Sequence, residues 1–235
     1  MDLDKVSVAN ILRKKGVKYL FHANTVITSC SFLKSGGLLS RGAIEARGLG
    51  QTKQYTDPAD QRFGVWSDIW LDGVDIHSRA KARNSYGPVL FVYEVDVLAD
   101  SNLPQIRVTK THPQNWNGLS LGERYFLSIE QMEEQYEPTQ FTHSLTIPNF
   151  LEPLGFRFLN RIIVDNPSRT VDGDDVYRIA INTLKIAADQ GGLIDPPLVE
   201  RHANSSRYSH ICGCWGQYSS MQESSIRTIF SAVET

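Results

Sequence analysis

Three cysteines in 235 residues, Cys30, Cys212 and Cys214, are too few and too odd in number for a disulfide framework, which excludes the small scaffolds that depend on one. Charge of one sign is missing too. The 24 Lys and Arg stand against 26 Asp and Glu, so a net charge of -2 gives no sign of a nucleic-acid or membrane partner, although a local basic face stays open. No apolar run approaches the roughly 20 residues a membrane helix needs. The start, Met1-Asp-Leu-Asp-Lys5, lacks the apolar centre of a signal peptide, so a soluble, cytoplasmic protein is expected. Repeats, low-complexity tracts and coiled-coil heptads are absent as well.

Several chemical motifs are also missing or incomplete. Gly48-Leu-Gly50 has no later glycine, preceding strand or following helix, as a dinucleotide fingerprint requires, and there is no Walker-type lysine loop. Ser29 and Ser40 lie outside any nucleophile-elbow context, which argues against Ser-His-Asp hydrolysis. Cys30 falls within an apolar helix face, where packing is its expected role. Cys212-Gly-Cys214 with His202 and His210 offers four ligands, but at a spacing that matches no standard zinc pattern, so no metal is expected. Asp68, Asp72 and Asp75 resemble a metal cluster, yet Ile69 and Trp70 between them suggest a strand and turn with solvated acids.

What is present is enough apolar and aromatic side chain, 41% and 10% of residues, to bury the core of one large domain. Residues 4–15 read as an amphipathic helix stopped by Gly16, followed by a short strand, Tyr19-Leu-Phe21, that delivers His22. A second helix over 28–35 ends at Gly36-Gly37, and a short one over 40–47 is capped by Ser40. Residues 48–62 are polar and carry Gly and Pro, which suggests a mobile loop or lid. Strand-like segments follow at 63–66 and 69–71, then a short helix at 75–84. The clearest strand is 89–97, rich in β-branched and aromatic residues and expected to be central. Further strands are predicted at 106–108, 123–129 and 156–164, with a long loop over 111–122. A helix over 174–189, a flexible stretch over 191–208 and a last helix over 222–233 complete the chain.

His22, Arg41, Tyr86 and Glu123 each open or close one of these segments, and a His and an Arg held at element ends suit a ligand site. Their order resembles the NAD-dependent ADP-ribosyltransferases, most closely the DarT-like and CmdT-like toxins of phage defence. The likeness covers about residues 18–130. It rests on Leu20-Phe-His-Ala-Asn-Thr25, on Gly-Leu-Leu-Ser-Arg41 after a helix, and on an acid, Glu123, before Tyr125-Phe126-Leu127. Residues 69–83 match that pattern poorly, and the part after 150 is longer than it implies.

The resemblance implies an α+β fold with helices around a split antiparallel sheet, in a single domain over 1–235. Residues 1–150 would form the NAD-binding and catalytic core, and 151–235 would complete the fold. It also implies transfer of ADP-ribose from NAD to a macromolecule by a toxin of a phage-defence or toxin-antitoxin system, with an antitoxin as possible partner. NAD would be the sole cofactor, consumed as substrate.

His22, Asn24, Thr25, Arg41 and Tyr86 would then hold NAD: His22 on a ribose hydroxyl, Arg41 on the pyrophosphate, Tyr86 stacked on nicotinamide. Glu123 would stabilise the oxocarbenium character that develops on the ribose. Arg79 and Arg83, with Lys81, could follow a phosphate backbone, and Trp116 could stack on an unpaired base of RNA or single-stranded DNA, the acceptors expected ahead of protein. Plainer readings stand beside these. His22 could simply close a strand, Arg41 could be a solvated helix residue, Tyr86 could pack a turn, and the Arg79 group could be a solvated face. Glu123 competes with Glu130, Glu133 and Glu134. Hydrolysis of NAD by water, and an inactive nucleotide-binding or regulatory module, are the alternative functions.

Overall fold

A computed structural model describes residues 1–202 and 212–231. In chain order the first half runs α1 (Lys5–Lys14), β1 (Tyr19–Asn24), α2 (Val26–Lys34), β2 (Gly37–Leu38), α3 (Arg41–Ala46), α4 (Asp57–Arg62), β3 (Ile69–Asp72), α5 (Ile76–Ala80) and β4 (Val89–Glu94). The second half runs β5 (Arg107–Val108), α6 (Leu121–Arg124), α7 (Ile129–Gln135), β6 (Ser144–Ile147), β7 (Leu154–Gly155), β8 (Leu159–Asp165), β9 (Thr170–Val171), β10 (Asp174–Asp175), α8 (Val176–Gln190), β11 (Leu198–Arg201), α9 (Gly213–Ser220) and α10 (Glu223–Phe230). This is an α+β arrangement around a mixed seven-stranded sheet of order β11-β8-β4-β1-β3-β6-β5. Every pairing in it is antiparallel except β8 with β11.

Local signals explain the early elements. The Asp4 carboxylate accepts the Ser7 N–H at the start of α1, and the Ser40 hydroxyl accepts the Ala43 N–H at the start of α3. Gly36, at φ +74°, takes the left-handed conformation that ends α2. Strand β1 pairs with β4 along its whole length, from Tyr19 opposite Glu94 to Asn24 opposite Val89. Its register with β3 consists of one pair, Phe21 opposite Asp72. The sheet thus has a seam between β11-β8-β4-β1 and β3-β6-β5.

The main core lies where α1, α2 and α8 pack on the sheet. α8 presents Val176, Ala180, Leu184, Ala187 and Ala188 at helical spacing, and α2 packs against it, with Cys30 facing the Thr183 carbonyl, while Phe32 on α2 packs on Phe91 of the sheet. Burying each large apolar side chain contributes about 1.5–3 kcal/mol. A smaller cluster of Val65, Trp116 and Tyr125, with Phe63 and Trp70 against it, supports the β3 side.

Several expected boundaries move. Residues 63–66 form turns rather than a strand, and the loop at 48–62 ends in α4. The predicted strand at 123–129 is replaced by α6, one bridge between Thr109 and Tyr125, and the start of α7. The strand at 89–97 stops at Glu94 and passes into a 3-10 turn; as expected it lies inside the sheet, paired on both sides with β8 and β1, next to the middle strand β1. Part of the stretch expected to be flexible is β11, parallel to β8; residues 203–208 of it, His210, and the end of the helix predicted over 222–233 lie outside the described residues. No helix among the described residues is long and apolar enough to cross a membrane.

Candidate functional site

A cavity of about 310 Å³ opens at the seam between β1 and β3. His22 and Asn24 enter it from β1, Trp70 and Asp72 from β3, and Phe32 and Arg41 from α2 and α3. Residues 54–56 with Asp60 form one wall, and Tyr86, His112, Phe141 and Ser144 close the other sides. Gly87 makes the Tyr86 position possible. Its φ is +149°, and a Cβ there would fall 2.3 Å from the carbonyl carbon and oxygen of Asn24, so only glycine lets this segment press onto the end of β1.

His22 bridges the seam. Its Nδ1 is 2.8 Å from the Trp70 carbonyl, which can only accept, so Nδ1 carries the proton and Nε2 is left as an acceptor. That Nε2 is buried without a hydrogen-bond partner among the described residues. Burial pushes the imidazole below its ordinary pKa, and the Arg41 charge acts in the same direction, so the ring is neutral. Its edge packs on Phe32, with ring centroids 5.4 Å apart.

Across the seam, burial pushes the Asp72 carboxyl up to about 6, opposed by the Ser144 hydroxyl that donates to it at 2.7 Å. Asp60 is pushed up to about 7, mainly by burial, and Asp68 is raised for the same reason. Buried acids with perturbed titration, beside a cavity, are a recurring mark of functional sites.

Tyr86 joins a small aromatic array. It stacks on Tyr55, with centroids 5.6 Å apart, and its hydroxyl lies 3.4 Å from the Tyr55 hydroxyl and 3.1 Å from His112 Nε2. His112 Nδ1 accepts the Gln114 N–H at 3.4 Å, so Nε2 carries the proton and donates to Tyr86. Tyr55 donates to the same oxygen. The Tyr86 proton is therefore available to a ligand, and burial raises the pKa of the phenol, which keeps it protonated.

The residues expected to form the site divide into two groups. His22, Asn24, Arg41 and Tyr86 meet at the cavity. Arg41 is not the open phosphate fork that was expected: it is held inside, with one nitrogen 2.6 Å from Asp57 and another donating to the Thr52 carbonyl at 2.8 Å. Thr25 turns away from the cavity, into a hydroxyl chain with Thr28 and Thr52.

The second group lies elsewhere. Glu123 is exposed on α6, outside the cavity lining, and its carboxylate accepts both the N–H and the hydroxyl of Ser120 in a capping box. Those two bonds hold its carboxyl below the usual range. Trp116 is 1% exposed, with its indole N–H on the Thr111 carbonyl, so no face is open for a base. Arg79 is exposed and lies over Phe141 at the cavity rim, 4.3 Å from the ring centroid, while Arg83 is half-buried beside α9.

Among the cavity residues that no sequence motif marks are Tyr55, Asp60, His112 and Ser144, while Asp72, a solvated acid by its local sequence, lies in the lining. A separate cluster, His77, His202, Cys212 and Cys214, brings four metal-binding atoms within 4.8 Å of one another. No protein-family model matches the chain, and no curated protein is significantly similar to it.

Proposed function

We propose that the seam cavity binds NAD through its nicotinamide riboside end and that the chain transfers the ADP-ribose to an acceptor with release of nicotinamide. The observation that carries this reading is the set converging on the cavity: an ionisable carboxylate on Asp72, an unpartnered acceptor on His22 and a donor hydroxyl on Tyr86. The seam between two half-sheets is in keeping with a split-sheet ADP-ribosyltransferase fold. A volume of about 310 Å³ is at the small end for ligand sites and suits a heterocycle with its sugar, leaving the rest of the dinucleotide at the mouth.

In this reading His22 Nε2 accepts from a ribose hydroxyl. Tyr86 and Tyr55 offer a face to the nicotinamide ring and a hydroxyl to its amide. The Arg41 charge adds a positive field without surrendering its own partners. As the bond to nicotinamide breaks, positive charge grows on the ribose, and ionised Asp72 stabilises that charge more in the transition state than in the ground state. Asp72 takes the role that the sequence suggested for Glu123.

The proposed acceptor is a base in RNA or single-stranded DNA, with Arg79, over Phe141 at the rim, as a cation for its backbone. A chain that spends NAD on such an acceptor fits the toxin role, with an antitoxin as its natural partner. A second reading, hydrolysis of NAD by water, gains support from the burial of Trp116, which removes the expected stacking platform. Incubation with NAD labelled in the adenylate, together with RNA, single-stranded DNA or lysate protein, tests both. Label in a polymer supports transfer, free ADP-ribose supports hydrolysis, and intact NAD under every condition refutes the proposal.

A further inference from the structure

We propose that His77, His202, Cys212 and Cys214 form a tetrahedral zinc site that fastens α9 to α5 beside the cavity. The donors converge on one point. The two Nε2 atoms are 2.9 Å apart, His77 Nε2 is 3.0 Å from Cys212 Sγ and 3.3 Å from Cys214 Sγ, His202 Nε2 is 3.0 Å from Cys214 Sγ, and the sulfurs are 2.7 Å apart. Zinc bonds of about 2.0–2.1 Å to nitrogen and 2.3 Å to sulfur give tetrahedral edges of roughly 3.3–3.8 Å; these five separations reach that range by opening about 1 Å or less, and all four donors lie within 4.8 Å of one another.

The donor set is chemically selective. Two thiolates and two imidazoles, with no carboxylate among them, are what Zn²⁺ takes in closed structural sites. His77, Cys212 and Cys214 are buried and His202 half-buried, so no position is left open for water chemistry. Without an ion, two imidazole nitrogens and two thiols face mainly one another, a poor use of buried polar groups.

The elements that present these donors are already braced. Asp75 caps α5, accepts the His77 N–H at 3.0 Å and pairs with Arg201 at 2.8 Å, next to His202. Arg201 also reaches Asp165 at 3.5 Å, which accepts the hydroxyl of Tyr218 on α9 at 2.6 Å. The Cys214 N–H donates to the Lys81 carbonyl at 3.0 Å, tying the start of α9 to the end of α5. His202 is held at φ +71°, a conformation that a non-glycine residue adopts at a cost when its surroundings require it. Ile76, the neighbour of His77, lines the cavity, so the ion would fix that wall.

The test uses the full chain purified under reducing conditions, with metal content measured by mass spectrometry and Co²⁺ exchanged in as a spectroscopic probe. One zinc per chain is expected, together with the strong visible absorption of tetrahedral, thiolate-bound Co²⁺. Both should vanish in Cys212→Ser/Cys214→Ser and survive in Cys30→Ser. Wild-type protein that carries no stoichiometric zinc and gives no tetrahedral signal with added Co²⁺ would overturn the site whether or not the variants fold. Retention of zinc by the double variant would overturn it equally.

Discussion

Arg41→Met should destabilise the protein by about 3–5 kcal/mol, the usual cost of stranding one partner of a buried ion pair. The pair is well enclosed: the Arg41 and Asp57 side chains are 14% and 15% exposed, and the guanidinium lies 5.2 Å from the Trp66 ring centroid. Methionine keeps most of the stem volume, so packing changes little while the charge and the bond to the Thr52 carbonyl are lost. Asp57 would keep one hydrogen bond, from the Gln54 N–H at 2.9 Å, with its other oxygen already unpartnered. For a chain of this size the melting temperature should fall by about 2–4 °C per kcal/mol. Asp57→Leu should be similarly costly. The double variant should be less destabilised than either single one, because replacing both charges leaves none buried alone. Urea unfolding of the four proteins reads the coupling directly. Single variants within about 1 kcal/mol of wild type, at unchanged m-value, would mean that the pair behaves as a solvated one and that the enclosed Arg41 is misread.

Three further outcomes follow from the same geometry. Asp60 titrates near 7 in the folded protein against an ordinary 3.8, so its contribution to stability is greatest below pH 4 and is lost as pH rises through 7, by about 4 kcal/mol; Asp60→Asn should be more stable than wild type at pH 8 and should lose that advantage at pH 4 in urea unfolding. The rate of nicotinamide release should rise with pH through about 6 as Asp72 ionises, and Ser144→Ala, which removes the bond that favours the charged form, should move that limb to higher pH; an unmoved limb would separate it from Asp72. Trp116→Ala should cost about 3–5 kcal/mol in chemical denaturation, as expected for a large core aromatic; near-wild-type stability with lost polymer labelling would return Trp116 to the acceptor site.

The parts of the fold legible in the sequence are those set by short-range chemistry. Asp4, Ser40 and Gly36 act on backbone within a few residues, so the bounds of α1, α2 and α3 could be read closely. Strand β6 was missed because Ser144-Leu-Thr-Ile147 is buried on both faces and lacks the alternation that marks a half-exposed strand. Tyr125 and Phe126 after Glu123 suggest a strand, but Ser120 three residues before it makes a capping box. That signal was available and decides for a helix turn. Asp72 read as a solvated acid because its local neighbours are turn-like, whereas its burial and its partner Ser144 come from 72 residues away. The Cys212-Gly-Cys214 pair matched no metal spacing because His77 lies 125 residues before His202 and meets it only through the packing of α5 beside β11.

The reactive centre is claimed to be the seam cavity, with Asp72 rather than Glu123 as its acid, and nicotinamide release from NAD by Asp72→Asn and Glu123→Gln tests this most directly. With folding verified for both variants, Glu123→Gln should turn over at the wild-type rate, since its carboxylate serves a surface cap. Asp72→Asn should bind NAD and lose about 10²–10³-fold in rate, the scale of removing one electrostatic stabiliser of a transition state. Loss of turnover in Glu123→Gln with full activity in Asp72→Asn would contradict the account and move the chemistry out of the cavity.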